Sequence, residues 1–274
     1  MTHTIIRIQG GTSDGIKRNH RAAGLLMSAT LTPPVGAVAR ANPTERIGDY
    51  LNALKHYASL PDTTIDRILF IDNSYSDLTP LANALRDITH TKTIELISFS
   101  GNDHPVRLGK AHGEFRLMDF GLAHTTLFEP DDIIWKTSGR LRILNLTEMI
   151  ESCRTLDFDV LCDLRNVPLL GSGKWQGSEN MDLRLFAFRR SAYDTVFAGL
   201  WKTHEGHLDA GFLYRHLIHL RSEAKELRVI PRFPRQPRLQ GISGRHQRDY
   251  QSPPQRAKDA LRAVIRRIAP SLWI

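Results

Sequence analysis

Several apolar runs in this chain stop at residues that could do chemistry. Residues 159–165 read Asp-Val-Leu-Cys-Asp-Leu-Arg, an apolar run that ends in a carboxylate, a spacer and a guanidinium. Residues 136–140 read Lys-Thr-Ser-Gly-Arg directly after Ile-Ile-Trp, and Asp72-Asn73-Ser74 closes a third run. Thr30 and Thr32 follow a fourth, and Ser100-Gly101-Asn102 a fifth. Structural caps account for Asn73 and Ser138. They do not require Lys136, Arg140 and Arg165 at the ends of such runs. Three cations there point to a polyanionic ligand, most simply a diphosphate, with unrelated surface cations as the alternative.

The elements that must position these residues follow from the apolar pattern. Short continuous apolar runs at 24–31, 67–72, 93–99, 132–136 and 158–163 read as buried strands. Between them, helices are expected after Asn42 or Thr44 with Pro43 near the first turn, then at 78–85, 109–126 and 146–153. Strands alternating with helices imply an α/β fold, a doubly wound, mostly parallel sheet with helices on both faces. In such sheets ligands bind past the carboxyl ends of the strands, which is where the charged residues above fall. After Asp163 the pattern changes. Residues 169–180 form a Gly/Ser-rich loop with one Trp, and 181–189 alternate like an antiparallel strand. Helices are expected at 191–200 and 207–220, then a Pro- and Arg-rich excursion at 231–250. A basic amphipathic helix at 254–268 closes the pattern.

Bulk composition narrows the class. The chain has 274 residues, 41% hydrophobic and 24% charged, as in an ordinary globular protein. No apolar run approaches the roughly 20 residues that span a bilayer, and the N-terminus lacks the apolar core of a signal peptide. With Cys153 and Cys162 the only cysteines, two reduced core thiols in a cytoplasmic protein are expected. The formal net charge is +8, and residues 229–274 hold ten basic and two acidic side chains, the whole of that excess. Nucleic-acid binding would more often spread charge over one face. A basic tail on a neutral body points instead to a local phosphate or a membrane surface.

The motifs resemble those of GT-A-type glycosyltransferases, more narrowly the bacterial nucleotide-sugar transferases that assemble lipopolysaccharide and capsule. The residues that carry the likeness are Thr30–Pro33, Arg46-Ile-Gly-Asp49-Tyr50, Asp72-Asn73-Ser74, Gly109-Lys110-Ala-His112-Gly113-Glu114 and Lys136-Thr-Ser138-Gly139-Arg140, in that order. The likeness covers about residues 24–250, within a catalytic domain taken as 1–250. Its donor half is about 22–165, its acceptor half about 166–250, and 251–274 form the basic helical extension. It implies that Thr32, Arg46, Asp49, Asp72 and Asn73 border the nucleotide. Lys110 at a helix N-terminus, Lys136 and Arg140 would face phosphate or acceptor. Ser243 and Arg245, in Gly-Ile-Ser-Gly-Arg, would close over the phosphates. Asp163 stands where the family's Asp-x-Asp begins, and Arg165 replaces the second Asp. A single carboxylate holds Mn2+ or Mg2+ poorly, whereas a guanidinium can stabilise a leaving diphosphate without metal. An Asp–Arg ion pair at a strand end is the alternative.

For chemistry, an inverting transfer needs a base to take the acceptor's hydroxyl proton. Asp209, in Leu208-Asp-Ala-Gly-Phe-Leu-Tyr214, is the first candidate and Glu205 the second, each also an ordinary helix-start acid. Glu114 could equally complement the dipole of its own helix. His204 and His207 could bind metal or be exposed loop residues. Asp182 and Arg184 face the acceptor or pair with each other. The implied reaction moves a sugar from a nucleotide-diphosphate donor to a glycan or lipid-linked acceptor. The final helix either packs on the body or lies on an anionic leaflet, on the inner face of the cytoplasmic membrane. The rival readings are a non-enzymatic polyanion- or membrane-binding protein and a nucleotidyltransferase on the same fold.

Overall fold

A computed structural model describes residues 2–11, 22–166, 179–204, 206–244 and 247–273. The expected Gly/Ser-rich loop at 169–180 lies mostly outside them, as do Glu205 and Arg245. The first half of the chain alternates as expected. It runs β1 (His3–Gln9), β2 (Ala23–Ala29), α1 (Pro43–Ala58), β3 (Ile65–Asp72), α2 (Thr79–Arg86), β4 (Thr93–Phe99), α3 (Lys110–His124), β5 (Ile133–Ser138), β6 (Arg142–Ile143), α4 (Leu146–Cys153) and β7 (Val160–Leu161). The second half is broken into shorter pieces: β8 (Leu164–Arg165), β9 (Asn180–Met181), β10 (Leu185–Arg189), α5 (Arg190–Val196), α6 (Leu200–Thr203), α7 (Ala210–Glu223), β11 (Val229–Ile230), β12 (Leu239–Gln240) and α8 (Pro253–Ile268).

The main sheet has eight strands in the order β1-β4-β3-β2-β5-β10-β7-β11. Strands β4, β3, β2 and β5 are parallel neighbours, and β10 runs antiparallel between β5 and β7. Side chains of successive residues leave opposite faces. Leu25, Met27, Ile68 and Phe70 pack with α1, α2 and α4 on one face. Leu26, Leu69, Ile71 and Ile97 pack with α3, α5 and α7 on the other. The sheet is therefore doubly wound and mostly parallel, as the pattern of apolar runs required.

Three differences from the sequence reading have physical causes. The N-terminal strand β1 was not expected. It is an antiparallel edge strand with only Ile8 buried, so it lacks the continuous apolar run of a central strand. The alternating stretch at 181–189 is split. Asn180–Met181 pairs with β8, and only Leu185–Arg189 enters the main sheet. The last helix packs on the body as one reading expected, but with its polar side inward. Gln255 and Arg266 are its buried residues, while Leu261, Val264 and Ile268 are exposed.

Arg266 is the anchor of that packing. One of its amino groups donates to Asp163, with N–O distances of 2.9 and 3.0 Å to the two carboxylate oxygens, and to Gln236 Oε1 at 2.9 Å. The other donates to the Phe233 carbonyl at 2.7 Å. Both partners of the pair are 4% exposed, so removing one leaves a buried, uncompensated charge. Arg266→Ala should cost about 3–5 kcal/mol in urea denaturation, whereas Arg267→Ala, one residue on and exposed, should stay within about 0.5 kcal/mol.

Candidate anion site at the strand ends

The carboxyl edge of the sheet is built in two adjoining parts. The first lies over β2, β3 and β5. Asp72 is fully buried, and its carboxylate accepts from the backbone N–H groups of Leu31, Ser74 and Ser76 and from the hydroxyls of Ser74 and Ser98, at 2.7–3.1 Å. Asn73 Oδ1 accepts from the Thr30 hydroxyl at 2.7 Å. Thr32 leans on the same loop, its N–H on Ser74 Oγ and its hydroxyl 3.0 Å from Ser76 Oγ. Asp72 and Asn73 thus hold the loops after β2 and β3 to each other. Arg46 does similar work from α1. Its guanidinium donates to the carbonyls of Thr30 and Arg40 and to the Tyr50 hydroxyl.

The turn after β5 is fixed just as closely. Gly139 N–H donates to Ser28 O at 2.8 Å, and a Cβ at Gly139 would stand 2.8 Å from that carbonyl, so only glycine fits. Arg140 lies between Asp49, at 3.7 Å, and the Ile242 carbonyl, at 3.2 Å, with Gly244 packed against its guanidinium. Asp49 in turn makes a two-pronged pair with Arg40 at 2.6 and 3.1 Å. Ser243 closes a local turn, donating its N–H to Arg248 O. Lys136 is fully buried, and its ammonium donates to Glu114 and to the Leu183 carbonyl. Burial pulls Lys136 below the ordinary lysine range, and Glu114 offsets only part of that. Burial pushes Glu114 up, but Lys136 and Lys110 outweigh it and hold the carboxyl below its usual value. Ser28 also donates to Glu114, so this carboxylate is a junction of β2, α3 and β5 and not only a dipole partner of its helix. In this part of the edge, Asp72, Arg46 and Lys136 all face other protein groups.

The second part adjoins it through Arg184, whose carbonyl accepts from Ser138 N–H. Here Asp182 is gripped by two guanidiniums: Arg184 from both sides and Arg165 at 2.5 Å. Burial pushes the Asp182 carboxyl up, but Arg184 and Arg165 outweigh it and hold it well below the usual carboxylate range. It stays ionised at ordinary pH, and the stability it lends is lost only as pH falls below about 4. The expected acceptor-facing pair is thus joined by Arg165. The helix α8 completes the cluster with Asp259, Arg262 and Arg266, and Arg232 and Lys258 sit close by. Six cations face three carboxylates here. From sequence, Arg232, Arg262 and Arg266 count only as part of the basic tail, and Asp259 has no role. The signal that could have found the helical members is the polar stripe Gln255, Asp259, Arg262, Arg266, spaced to share one helix face.

Two features of this cluster suit it to an anion. The first is a set of buried guanidinium N–H groups with no hydrogen-bond partner among the described residues: Arg165 Nε, Arg232 Nε and Nη2, and Arg266 Nε. Buried donors are nearly always paired, and an oxyanion supplies charge-assisted partners of the right geometry. The second is Arg262. Burial, then Arg165, pushes its guanidinium down to about 10, with Asp259 no nearer than 3.9 Å.

The other predicted residues lie along the same edge or away from chemistry. Asp209 is the N-cap of α7, exposed, with Oδ1 accepting from Phe212 N–H at 2.8 Å. A Cβ on Gly211 would lie 3.3 Å from both Asp209 Oδ1 and Glu179 O, and the next residue, Asn180, pairs with Arg165. Asp209 is thus linked to Arg165 through the backbone of Glu179 and Asn180. Lys110 starts α3 next to the same place, because Gly109 abuts the Leu208 carbonyl. His207 is engaged by the Arg107 carbonyl at 2.9 Å, and no three metal-ligating side chains converge among the described residues. The residues at Asp163 do not fit a divalent cation, since Arg266 holds both carboxylate oxygens. Both cysteines are buried, and burial pushes the Cys153 thiol up to about 11, so neither is poised to react.

The Arg262→Gln change separates a ligand site from an accidental cluster. The folded state disfavours the Arg262 charge at every pH below about 10. Removing it should leave the melting temperature unchanged or raise it, while reducing the stabilisation produced by pyrophosphate. Thermal unfolding of both proteins across a pyrophosphate series reads both effects.

No family model and no curated protein matches the chain. Among solved structures, the crystal structure of mouse xyloside xylosyltransferase 1 in its apo form is similar at 13% identity, with a TM-score of 0.46 over 76% of this chain and 85% of that one. A likeness that distant carries no statement about activity.

Proposed function

We propose that the protein is a glycosyltransferase that uses a nucleotide-diphosphate-sugar, with the diphosphate held by the arginine cluster at the end of β7. The observation that supports this most is the set of four buried guanidinium N–H groups without a partner among the described residues, inside an excess of positive charge. They lie where a doubly wound sheet presents its ligands, past the carboxyl ends of the strands. The ordered motifs of the first half add the sugar-nucleotide reading. In it the loops braced by Asp72, Asn73 and Arg46 form the wall for the nucleoside, with Thr32 at its rim.

The chemistry follows from the residues. The departing diphosphate gains negative charge as the glycosidic bond breaks. Fixed cations aimed at that charge lower the barrier without reorganising. Arg165, Arg232 and Arg262 supply them, in place of a divalent cation. Lys110, at the free N–H groups of α3, adds a further positive end. Asp209 is the proposed base: Oδ1 caps α7, and no hydrogen bond engages its other oxygen among the described residues. Asp182 is unsuited to the role, because two arginines keep it ionised and paired. A glycan or lipid-linked hydroxyl compound, as in bacterial polysaccharide assembly, is the proposed acceptor.

Thermal unfolding with UDP, GDP and CDP, with and without EDTA, tests this reading. One diphosphate at about a hundredfold excess over its dissociation constant should stabilise the fold by about 2.7 kcal/mol. The effect should survive EDTA and shrink in Arg165→Gln. The matching sugar conjugate should then be consumed, and far more slowly by Asp209→Asn. No shift with any diphosphate would end the donor-site reading, and tighter binding of triphosphates would favour nucleotidyl transfer.

A further inference from the structure

The last helix is amphipathic in the opposite sense to an ordinary surface helix. Its inward face is the polar stripe Gln255, Asp259, Arg262 and Arg266. Gln255 and Arg266 are buried, and the stripe is tied to Asp163, Phe233 and Gln236. Its outward face carries Ala257, Leu261, Val264 and Ile268. Leu261 is 59% exposed, Val264 54% and Ile268 77%, and Leu272 just beyond the helix adds 39%. At about 100° per residue, the outward stripe stands nearly opposite the inward one. A surface helix normally buries such a stripe against the core. Here the burial is done by charge, and the apolar stripe remains uncovered.

We infer that this face docks on an anionic lipid surface. Charge decides between occupants. Arg256 and Arg267 border the stripe on one side and Lys258 on the other, all exposed. Apolar side chains flanked by cations match the boundary between acyl chains and anionic headgroups. A second copy of the chain fits poorly. A two-fold interface sets the same patch on both partners, so the cations of each copy would face those of the other, and like charges oppose such pairing. The Asp163–Arg266 pair holds the helix in register, so the stripe is already presented when the protein meets a surface. The inference does not depend on the donor reading. It would place the edge that carries the arginine cluster close to a bilayer.

Sedimentation with phosphatidylcholine vesicles, alone or with about 30% phosphatidylglycerol, tests it directly. The full chain should bind the anionic vesicles, much less the neutral ones, and less at high salt. The Leu261→Glu/Val264→Glu double variant alters only exposed positions. It should keep the wild-type melting temperature and any nucleotide-induced shift, yet lose binding about tenfold or more. Arg256→Gln and Arg267→Gln should each weaken binding about fivefold. Absence of binding to anionic vesicles, or equal binding by the double variant, overturns the inference. So does a wild-type dimer in light scattering that the double variant converts to monomer, which would give the face to a second copy.

Discussion

The buried pair between Asp163 and Arg266 is the interaction on which the arginine-rich end of the sheet depends. A carboxylate at the end of a central strand, 3% exposed, is costly unless a cation answers it. The answer comes from more than one hundred residues later, on α8, whose C-terminal continuation is also held by Asn166 N–H on the Trp273 carbonyl and by Arg232 on the Leu272 carbonyl. Because Arg266 also donates to Phe233 O and touches Gln236, one side chain joins the end of β7, the loop after β11 and α8. With that contact made, α8 turns Arg262 and Asp259 to the inside and its apolar stripe to the outside.

The pair also explains why the edge has two characters. Over β2, β3 and β5, carboxylates and cations are balanced locally. Asp72 has five donors, Lys136 has Glu114, and Arg46 has two carbonyls. That part is a rigid wall. Over β7 and β8 the balance fails, because Arg266 consumes the negative charge of Asp163 while Arg165 and Arg184 share Asp182. Arg262 and Arg232 are left in a region of positive potential, and the guanidinium of each is pulled below its ordinary range, first by burial. Excess buried charge lowers the stability of the folded chain, and a bound anion would offset that cost.

Much of the scaffold was legible in the sequence. Central parallel strands are buried on both faces and so read as unbroken apolar runs. The limits of β4 and α4 and the Asn42 cap of α1 follow from local signals alone. The edge strand β1 and the two-residue strands of the second half were not legible, because half-exposed or very short pairings leave no run to detect. At the site, the sequence placed Lys136, Arg140, Asp163 and Arg165 on one rim, since strand ends share an edge in a parallel sheet.

What the sequence by itself determined, then, is the alternation of elements, the edge of the sheet on which the charged strand ends fall, and the cationic bias of the last residues. Only the tertiary structure decided which of those charges are free to act. Lys136, Arg46 and Asp163, the obvious candidates by type and position, are engaged by Glu114, backbone carbonyls and Arg266. Arg232 and Arg262, unremarkable in the sequence, end among more cations than carboxylates. The physical reason is that a charged group's role depends on the sum of its neighbours. Those neighbours come from strands and a helix far apart in the chain, brought together only when α8 folds back with its polar face inward.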